Sequence, residues 1–299
     1  MTSDDETPAA WTARIRDALP GLAFTTLDVE TYGDDNHVLV FDRAWIVRTP
    51  RAVDDRWRFR AELKLLAALW PVSPLRVPHY EFVAADGSMG AYRMIPGVEL
   101  TPPIFALLSE AAQQRALIDL ARFLTVLHHL PEETIRQPDG MIQRRWSGEQ
   151  HAARYRGMRR ARIARVTPAD MLSRFDTFHE ALAVERAYIA GLAHDDLTED
   201  HILVNASGAI VGVIDFTDAA WGDPASDFAW LWRLGEARVD TVLAHYGRAV
   251  LDPELKTRSL WNYVRFLINQ IAYGDKAKWT LPPDLALAEL DGHLKRLGI

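Results

Sequence analysis

Apolar positions recur along this chain with two periods, one typical of helices and the other typical of strands. A helical spacing comes first, a strand-like alternation follows, and a second helical segment precedes two more strand-like runs. In chain order these segments are helix 7–19, strands 37–41 and 45–49, helix 54–69, and strands 80–84 and 91–95. The first third of the chain therefore predicts an antiparallel sheet accompanied by helix.

Helical periodicity dominates the rest of the chain. Residues 109–130 carry leucine, phenylalanine and alanine on or near one face, which predicts a long core helix. Further helical patterns cover 175–190, 228–234, 239–250, 259–272 and 284–297. Two short β-branched runs, Ile202–Val204 and Ile210–Ile214, lie on either side of residues 205–208, and this arrangement predicts a hairpin.

Carboxylate and imidazole side chains stand at the ends of this hairpin. Asp196 and His201 precede its first strand and Asp215 closes its second, so the hairpin would unite side chains up to nineteen positions apart. Phosphoryl transfer from a nucleotide needs such a set, because its transition state demands positioning and charge neutralisation more than covalent chemistry. One carboxylate orients the attacking hydroxyl and accepts its proton, while other ligands hold magnesium.

The order of these residues resembles the aminoglycoside/macrolide phosphotransferase family, whose members are relatives of protein kinases. The pattern reads His194-x-Asp196-x-x-x-x-His201, then Ile214-Asp215-Phe216, then Gly222-Asp223-Pro224-Ala225-x-Asp227-Phe228. It is most similar to the aminoglycoside 2''-phosphotransferases and the macrolide 2'-phosphotransferases, whose catalytic loops also tend to end in histidine. The resemblance covers nearly the whole chain and is sharpest over 194–228.

The resemblance implies a role for each residue of this pattern. Asp196 would be the catalytic base, and His201 and Asp215 would hold Mg²⁺. His194 would anchor the backbone of the catalytic loop, and Asp227 would brace that loop from below. Asp195 departs from the family, in which glycine or asparagine usually precedes the catalytic aspartate, and its side chain is expected to point outward.

The family pattern also implies a nucleotide site in the N-terminal part of the chain. Gly33 and Asn36 lie in the turn expected to face the phosphates, although a plain hairpin turn is the alternative interpretation of this glycine. Arg48 occupies the place of the kinase lysine, with Arg51 and Lys64 as alternatives. Arginine has a planar fork that suits phosphate oxygens, but its reach differs from that of lysine.

Glu62 is expected to pair with Arg48, the alternative being an exposed helix carboxylate.

The expected fold class is α+β, a protein-kinase-like fold with two lobes. Residues 1–95 would form a lobe built on an antiparallel sheet with one helix, and residues 96–299 a mainly helical lobe. Met94 and Ile95 would lie at the hinge and contact the base of ATP or GTP.

Composition and charge remove several classes of function. The 299-residue chain contains no cysteine, which excludes disulfides, zinc–thiolate sites and thiol catalysis. Its net charge of -7 argues against general nucleic-acid binding. The N-terminus lacks the basic-then-apolar order of a signal peptide, and no apolar run approaches the roughly 18–20 residues of a membrane span. We therefore expect a cytoplasmic monomer without a membrane partner.

The phosphoryl acceptor is defined least. Residues 141–175 contain nine arginines against Glu149 and Asp170. A solvated surface is the usual interpretation of such a run, but a polycationic acceptor would be repelled if the run lines the acceptor cleft. Aromatic and acidic residues of the last helical segments are candidates for acceptor contact. These candidates are Trp230, Glu236, Tyr263 and Tyr273.

The expected function is transfer of the γ-phosphoryl group of ATP or GTP to a hydroxyl of an antibiotic-like small molecule. An aminoglycoside is the first expectation, in the manner of antibiotic-resistance phosphotransferases. A macrolide 2'-phosphotransferase or a metabolite kinase is the alternative within the same reaction class. A kinase-like nucleotide-binding module without activity is the alternative from another class, because Arg48 and Asp195 depart from the kinase pattern.

Overall fold

An antiparallel sheet forms the N-terminal part of the chain. The computed structural model describes residues 7–32, 36–273 and 283–299. The strands are β1 (Leu27–Tyr32), β2 (Asn36–Phe41), β3 (Trp45–Pro50), β4 (Tyr80–Val83) and β5 (Gly90–Arg93). Their order in the sheet is β1-β2-β3-β5-β4. Two helices accompany the sheet, α1 (Pro8–Ala18) and α2 (Arg56–Leu69).

A tight turn of three residues, 42–44, joins β2 to β3 at the place where the sequence predicts a turn. Asp42 and Arg43 have φ angles of +52° and +50°, the left-handed conformation that tight hairpin turns require. The Asp42 carboxylate stabilises the turn by accepting hydrogen bonds from the amides of Thr25 and Thr26 at 2.7 and 2.9 Å. The turn fixes the register of β3 and with it the position of Arg48.

Side chains of β3 alternate between two layers. Trp45 and Val47 belong to a small core that also contains Trp11 of α1. Arg48 lies on the opposite side of the strand, where it contacts Glu62 of α2. Successive side chains of a strand point to opposite faces, so the apolar packing of one face presents Arg48 on the other.

Helices make up most of the remaining chain. They are α3 (Pro102–Leu107), α4 (Glu110–His129), α5 (Gly148–Arg154), α6 (Arg160–Ile163), α7 (Ala169–Leu182), α8 (Glu236–His245), α9 (Leu255–Tyr273) and α10 (Pro283–Arg296). Short strands separate them, namely β6 (Val98–Glu99), β7 (Gly191–Ala193), β8 (Ile202–Val204), β9 (Ile210–Val213) and β10 (Ala220–Gly222). Strand β8 pairs with β6 and β9, and β7 pairs with β10. In the described parts of the chain, no helix is both long and apolar enough to cross a membrane.

The predicted sequence of an antiparallel sheet followed by helices is confirmed, and so are the long helix α4 and the β8–β9 hairpin. The predicted helix 175–190 is wrong at both ends. Helix α7 begins at Ala169, directly after Pro168, and residues 185–190 are not helical. Pro168 suits this position because proline lacks an amide hydrogen and the first helical turn does not use one.

The predicted helix 239–250 also ends early, since α8 stops at His245. The chain then turns so that Arg248 reaches two backbone carbonyls. Its Nη1 donates to the carbonyl of His128 at 2.7 Å, and its Nη2 donates to that of Ala190 at 2.8 Å. Tertiary hydrogen bonds therefore replace the helical continuation that the periodicity predicts.

The arginine-rich segment 141–175 is not a single helix. After α5 the chain makes a π-helical turn, Tyr155–Arg159, before α6 begins. A π turn holds one more residue than an α turn and therefore rotates the side chains that follow it. The predicted helix 228–234 is likewise a longer 3₁₀ segment, Pro224–Leu234.

Helix α2 connects the sheet to the helical region. Three of its leucines lie in the large core of the helical region: Leu65, Leu66 and Leu69. Lys64 Nζ also donates to the carbonyl of Glu133 at 2.7 Å. The division into lobes of residues 1–95 and 96–299 stays a prediction.

Candidate active site

The β8–β9 hairpin brings together the three side chains that the sequence singles out. The amide of Ile214 donates to the carbonyl of His201 at 2.9 Å, which places His201 beside Asp215 at the same end of the hairpin. His201 Nδ1 lies 3.7 Å from Asp196 Oδ2, and His201 Nε2 lies 3.9 Å from Asp215 Oδ2. One imidazole therefore stands between two carboxylates.

A backbone contact sets the protonation of the His201 ring. Its Nδ1 lies 2.7 Å from the carbonyl oxygen of Asp196, and a carbonyl only accepts, so Nδ1 carries hydrogen. In the neutral ring Nε2 then holds the lone pair, on the side of Asp215. Burial lowers the pKa of His201, but the carboxylates of Asp196, Asp200 and Asp215 together outweigh burial, and the net effect raises the pKa.

The environment of Asp196 favours a basic carboxylate. Desolvation of its loop raises the pKa of Asp196 above its usual range. His201 opposes this increase, and the nearby carboxylates of Asp218 and Asp215 reinforce it. A raised pKa makes a carboxylate a stronger acceptor for the proton of a hydroxyl group.

Asp215 differs from Asp196 in the direction in which its surroundings shift the pKa. Burial raises the pKa of Asp215, but Arg48 and His201 outweigh burial and hold it well below its usual range. Arg48 Nη2 donates to Asp215 Oδ1 at 2.7 Å, while Oδ2 faces His201. The backbone of Asp215 has φ +65°, a left-handed conformation that turns its side chain out of the strand direction.

The donor set fits a cation that is bound together with phosphate. Asp215 Oδ2 and His201 Nε2 are close enough to share one ion. No cluster of three metal-binding side chains occurs within residues 7–32, 36–273 and 283–299. Magnesium is commonly held by one or two protein ligands with substrate phosphates and water completing its shell, so a two-ligand site suits it.

A buried network links Arg48 to Glu62 of α2 and to Thr217 in the loop after β9. Arg48 Nη1 donates to Glu62 Oε1 at 2.8 Å, so the expected pairing of these side chains is present. Arg48 Nη2 also donates to Thr217 Oγ1 at 2.7 Å. Arg48 and Glu62 are 3% and 1% exposed, so their charges are mutually compensated rather than solvated. Arg48 Nε has no hydrogen-bond partner among the described residues.

A fully buried carboxylate organises the loop before β8. Asp227 accepts hydrogen bonds from the amides of His194 and Asp195 at 2.7 and 2.9 Å. His128 Nε2 lies 2.9 Å from the same carboxylate. Burial raises the pKa of Asp227, but these hydrogen bonds outweigh it and lower the pKa. The His194 ring bridges to the carbonyl of Ile214 at 3.0 Å, which ties the loop to the end of β9.

The expectation that Asp195 points outward is wrong. Its carboxylate forms an ion pair with Arg145 Nε and is about one-fifth exposed. Burial raises the pKa of Asp195, and Arg145 opposes this change. The backbone of Asp195 has φ +64°, the conformation that glycine and asparagine adopt most readily. This explains physically why those two residues suit the position.

The remaining nucleotide candidates are placed as follows. Gly33 lies outside the described residues. Asn36 is buried, and its Nδ2 donates to Thr217 Oγ1 at 3.2 Å. The Met94 amide donates to the carbonyl of Ala44 at 2.8 Å, so that amide is already used within the fold. The side chain of Ile95 is buried.

The acceptor candidates are not brought to the site. Trp230 and Tyr263 are 2% and 0% exposed and pack in the large core, so their predicted contact with an acceptor is wrong. Glu236 forms ion pairs with Lys256 and Arg296, each at 2.8 Å. The side chain of Tyr273 lies outside the described part of the chain.

A cleft of about 690 Å³ opens beside the loop that carries Asp196. It lies between the start of α2 and the arginine-rich segment. The carboxylates of Asp195 and Asp218 line it together with Trp57, Trp146 and several arginines. The arginines are Arg58, Arg144, Arg145, Arg154, Arg159 and Arg265. The interpretation of residues 141–175 as a merely solvated surface is therefore wrong for four of these arginines.

Sequence reasoning missed Thr217 and two ion pairs. Thr217 stands where protein kinases carry glycine, and that departure was the available signal. Arg58 pairs with Asp218, and Arg145 pairs with Asp195, each across a long stretch of chain. No spacing rule connects such distant positions, so these pairs required the folded chain.

Comparison with known proteins supplies the family context. A sequence model of the Phosphotransferase enzyme family matches residues 32–266. Among curated proteins, the chain is similar to the uncharacterized protein YcbJ of Bacillus subtilis (strain 168), with 36% identity over 61 residues. That match spans 20% of this chain and 20% of the relative, so it covers a fifth of the relative's length.

Solved structures resemble the whole chain. The GDP complex of aminoglycoside 2'-phosphotransferase-IIIa has a TM-score of 0.77 and 20% identity, with 98% of this chain and 100% of that chain covered. The streptomycin–ATP ternary complex of APH(2")-IIa gives 0.67 at 20% identity, covering 91% and 93%. Macrolide 2'-phosphotransferase MphH from Brachybacterium faecium gives 0.63 at 22% identity, covering 95% and 97%. The expected α+β, kinase-like fold is confirmed.

Proposed function

Because the chain belongs to the Phosphotransferase enzyme family, we propose that it transfers the γ-phosphoryl group of ATP or GTP to a hydroxyl group of a small molecule. The chain is an enzyme of kinase type, and the donor, acceptor and site residues are the proposed part. One observation carries the proposal. The side chains of Asp196 and Asp215 flank His201 at 3.7 and 3.9 Å, at one end of a hairpin.

Asp196 is the proposed general base. The hydroxyl oxygen of the acceptor attacks the γ-phosphorus while its proton moves to the Asp196 carboxylate. The bond from the γ-phosphorus to the β–γ bridging oxygen breaks, and the nucleoside diphosphate leaves with that oxygen. The raised pKa of Asp196 supports this role, because a more basic carboxylate holds the transferred proton better.

Asp215 and His201 are the proposed metal ligands. Magnesium bound there with the nucleotide would neutralise charge on the β- and γ-phosphates. The lowered pKa of Asp215 keeps this side chain ionised and ready to bind a cation. His201 also holds the carbonyl of Asp196 through its Nδ1 hydrogen, so the same ring positions the loop that carries the base.

Arg48 is proposed to steady the phosphates, with Glu62 orienting it. The partnerless Nε of Arg48 supports this role, since a buried donor without an acceptor is costly until one arrives. Gly33, Asn36, Met94 and Ile95 remain candidates for nucleotide contact. His194 and Asp227 are proposed as structural support, through their hydrogen bonds to the backbone around Asp196.

The chemical class of the acceptor is a further part of the proposal, and three classes fit the reaction. An aminoglycoside is supported by the family and by the fold, whose similar structures include aminoglycoside phosphotransferases at 20% identity. A macrolide or a hydroxyl-bearing metabolite fits the same reaction. The arginines of the cleft beside Asp196 disfavour a polycation, so charge is the property that separates these acceptors most clearly.

The test is nucleoside-diphosphate release by the wild-type chain, by Asp196→Asn and by Asp119→Asn. Release would be measured with ATP and with GTP across aminoglycosides, macrolides and hydroxyl-bearing metabolites. We expect acceptor-stimulated release that falls about 10²- to 10⁴-fold in Asp196→Asn, with nucleotide affinity nearly unchanged. Asp119 lies on the exposed surface of α4, so its variant should retain wild-type release.

Full activity in Asp196→Asn would remove Asp196 from the proposed role. Nucleotide binding that depends on magnesium, without turnover on any acceptor, would favour the inactive binding module instead.

A further inference from the structure

The cleft beside Asp196 is strongly basic, and we infer that the hydroxyl acceptor carries an anionic group that its arginines bind. The inference rests on the proposed function, because it concerns the acceptor of that reaction. It commits to a small organic acid or phosphate ester with a free hydroxyl. Such an acceptor is negatively charged, whereas an aminoglycoside is positively charged.

The cleft has the position and size of an acceptor site. Asp195 lies next to Asp196 in sequence, and Asp218 is close enough to Asp196 to raise its pKa. Gln143, another lining residue, donates from Nε2 to the carbonyl of Thr217 at 3.4 Å. A volume of about 690 Å³ lies within the range of small-molecule sites.

Its lining carries a formal excess of positive charge, with six arginines against two carboxylates. Internal ion pairs neutralise part of this charge, because Arg145 pairs with Asp195 and Arg58 pairs with Asp218. Arg144 lies 3.4 Å from Glu132, but its side chain is 60% exposed and the pair is weak. These ion pairs therefore leave part of the positive charge of the cleft arginines without a nearby carboxylate.

Arg154 and Arg265 supply the uncompensated charge. No carboxylate of the described residues lies within ion-pair distance of either guanidinium. Arg154 lies over the ring of Trp146 at 5.1 Å, and Arg265 has only a long contact of 3.5 Å to Asn262. The Nε atoms of both arginines are buried without a hydrogen-bond partner. Both side chains are thus available to an anion.

The electrostatics of the neighbouring groups agree with this geometry. Burial and the nearby Arg145 lower the pKa of Arg265 to about 10, and the more distant carboxylate of Asp195 opposes this change only in part. Burial and the arginines around it, with Arg265 first, hold the pKa of His151 well below its usual range. Crowded positive charge destabilises the unliganded cleft, and a bound anion removes that repulsion. A polycation would instead add to it.

The walls of the cleft indicate the rest of the acceptor. Trp57 and Trp146 line it beside Met141 and Ile142, so an apolar or ring portion has surfaces to pack against. The π-helical turn Tyr155–Arg159 follows Arg154 directly and breaks the helical arrangement of this segment. Such turns are frequent at functional sites.

The experiment compares hexoses that share one ring and differ in charge. Glucose 6-phosphate, glucuronate, glucose and glucosamine would be titrated calorimetrically into the chain with Mg·ADP in excess, so that the nucleotide site is filled. Wild type would be compared with Arg154→Gln, Arg265→Gln and the control Arg122→Gln. Arg122 lies on the exposed surface of α4, and its replacement by glutamine removes the same charge from the chain.

We expect the two acidic hexoses to bind wild type and Arg122→Gln at least about tenfold more tightly than glucose and glucosamine. Each cleft variant should lose about tenfold or more of that affinity. Because Arg265 lies among like charges, its removal should leave the fold intact, and an unchanged melting temperature would show this. Equal affinity for acidic and neutral hexoses would overturn the inference, as would equal losses in Arg122→Gln and the cleft variants.

Failure of this inference is distinguishable from failure of the proposed function. Kanamycin-stimulated release that requires Asp196 would overturn the anionic acceptor and keep the kinase reaction. Preferential binding of acidic hexoses without any Asp196-dependent release from any acceptor would keep the anion-binding cleft and overturn the proposed kinase reaction.

Discussion

The hydroxyl of Thr217 joins residues from three separate stretches of the chain. It donates to Glu62 Oε2 at 3.1 Å and accepts from Arg48 Nη2 at 2.7 Å and Asn36 Nδ2 at 3.2 Å. A hydroxyl has one hydrogen and two lone pairs, so these contacts use its full capacity. Thr217 follows Asp215 by two positions and therefore fixes where that carboxylate stands.

Replacing Thr217 by valine should destabilise the chain without changing its shape. The substitution conserves side-chain volume but removes one acceptor and one donor from a buried network. We expect the free energy of unfolding to fall by about 1–3 kcal/mol, measured by urea denaturation. Thr241→Val, at a half-buried position of α8 where the hydroxyl contacts the helix carbonyl of Ala237, should change it by less than about 0.5 kcal/mol. Equal effects of the two substitutions would contradict the role assigned to Thr217.

Single residues also show where sequence reasoning ends. The pairing of Glu62 with Arg48 was predictable, because both positions lie in a pattern with known partners. The inward turn of Asp195 was not, because its partner Arg145 lies fifty positions earlier and carries no spacing signal. Its left-handed backbone likewise depends on the two amide hydrogen bonds around Asp227, which are formed only in the folded loop.

At the level of elements, α5 and α7 meet through a glycine. Gly148 is the first residue of α5, after a capping box formed by Ser147 and Gln150. A Cβ atom at Gly148 would lie 1.9 Å from the carbonyl oxygen of Leu182, at the end of α7. A backbone atom cannot rotate away, so the two helices would have to separate.

Gly148→Ala should therefore destabilise the chain, although alanine is the better helix former. Helix propensity alone would favour alanine by about 0.5–1 kcal/mol. That gain is expected in the control Gly292→Ala, because an added Cβ there meets no atom within 4 Å. Thermal unfolding should show a lower midpoint for Gly148→Ala and a higher one for Gly292→Ala. A raised midpoint for both would mean that the helices adjust freely.

Existence and type of the elements were predictable, and their ends were less so. The periodicity of α4 and the turn at Asp42 and Arg43 are local properties, which the folded chain retains. The end of α8 depends instead on Arg248, whose hydrogen bonds reach carbonyls far away in sequence. Tertiary contacts of this kind override the local pattern.

Across the whole molecule, the sheet and the helical region meet along a line of polar contacts. Arg48 binds Asp215, Asn36 binds Thr217, and Arg58 pairs with Asp218. Each contact joins the first part of the chain to the loop after β9. Arg48, Asn36 and Asp215 belong to the proposed nucleotide and metal site, and Arg58 and Asp218 line the acceptor cleft. Ligands at either site would therefore act on the same junction.

The charge of the acceptor cleft is likewise a property of the whole folded chain. The sequence raised the question, because residues 141–175 are rich in arginine, but it favoured a solvated surface. Only the folded chain places Arg265 of α9 and Arg58 of α2 beside that segment. The catalytic motif lies within the 35 residues 194–228 and could be recognised in the sequence. The cleft draws on five separate stretches of the chain and could not.

Nucleotide binding should stabilise the molecule in a magnesium-dependent manner. A ligand at about 100 times its Kd adds about 2.7 kcal/mol of stability, which corresponds to a rise in melting temperature of about 4 °C for a chain of this size. With EDTA in place of magnesium the rise should shrink, because the phosphates then lack the charge compensation expected between Asp215 and His201.

The decisive comparison is Asp215→Asn, measured with ATP and GTP in magnesium and in EDTA. The variant also loses the ion pair with Arg48, so its melting temperature without ligand is expected to change. The informative quantity is the difference between the magnesium and EDTA shifts, which should nearly vanish in Asp215→Asn and persist in Asp119→Asn. A difference as large in Asp215→Asn as in wild type would place the metal elsewhere, since the carboxylate facing His201 would then contribute nothing to its binding.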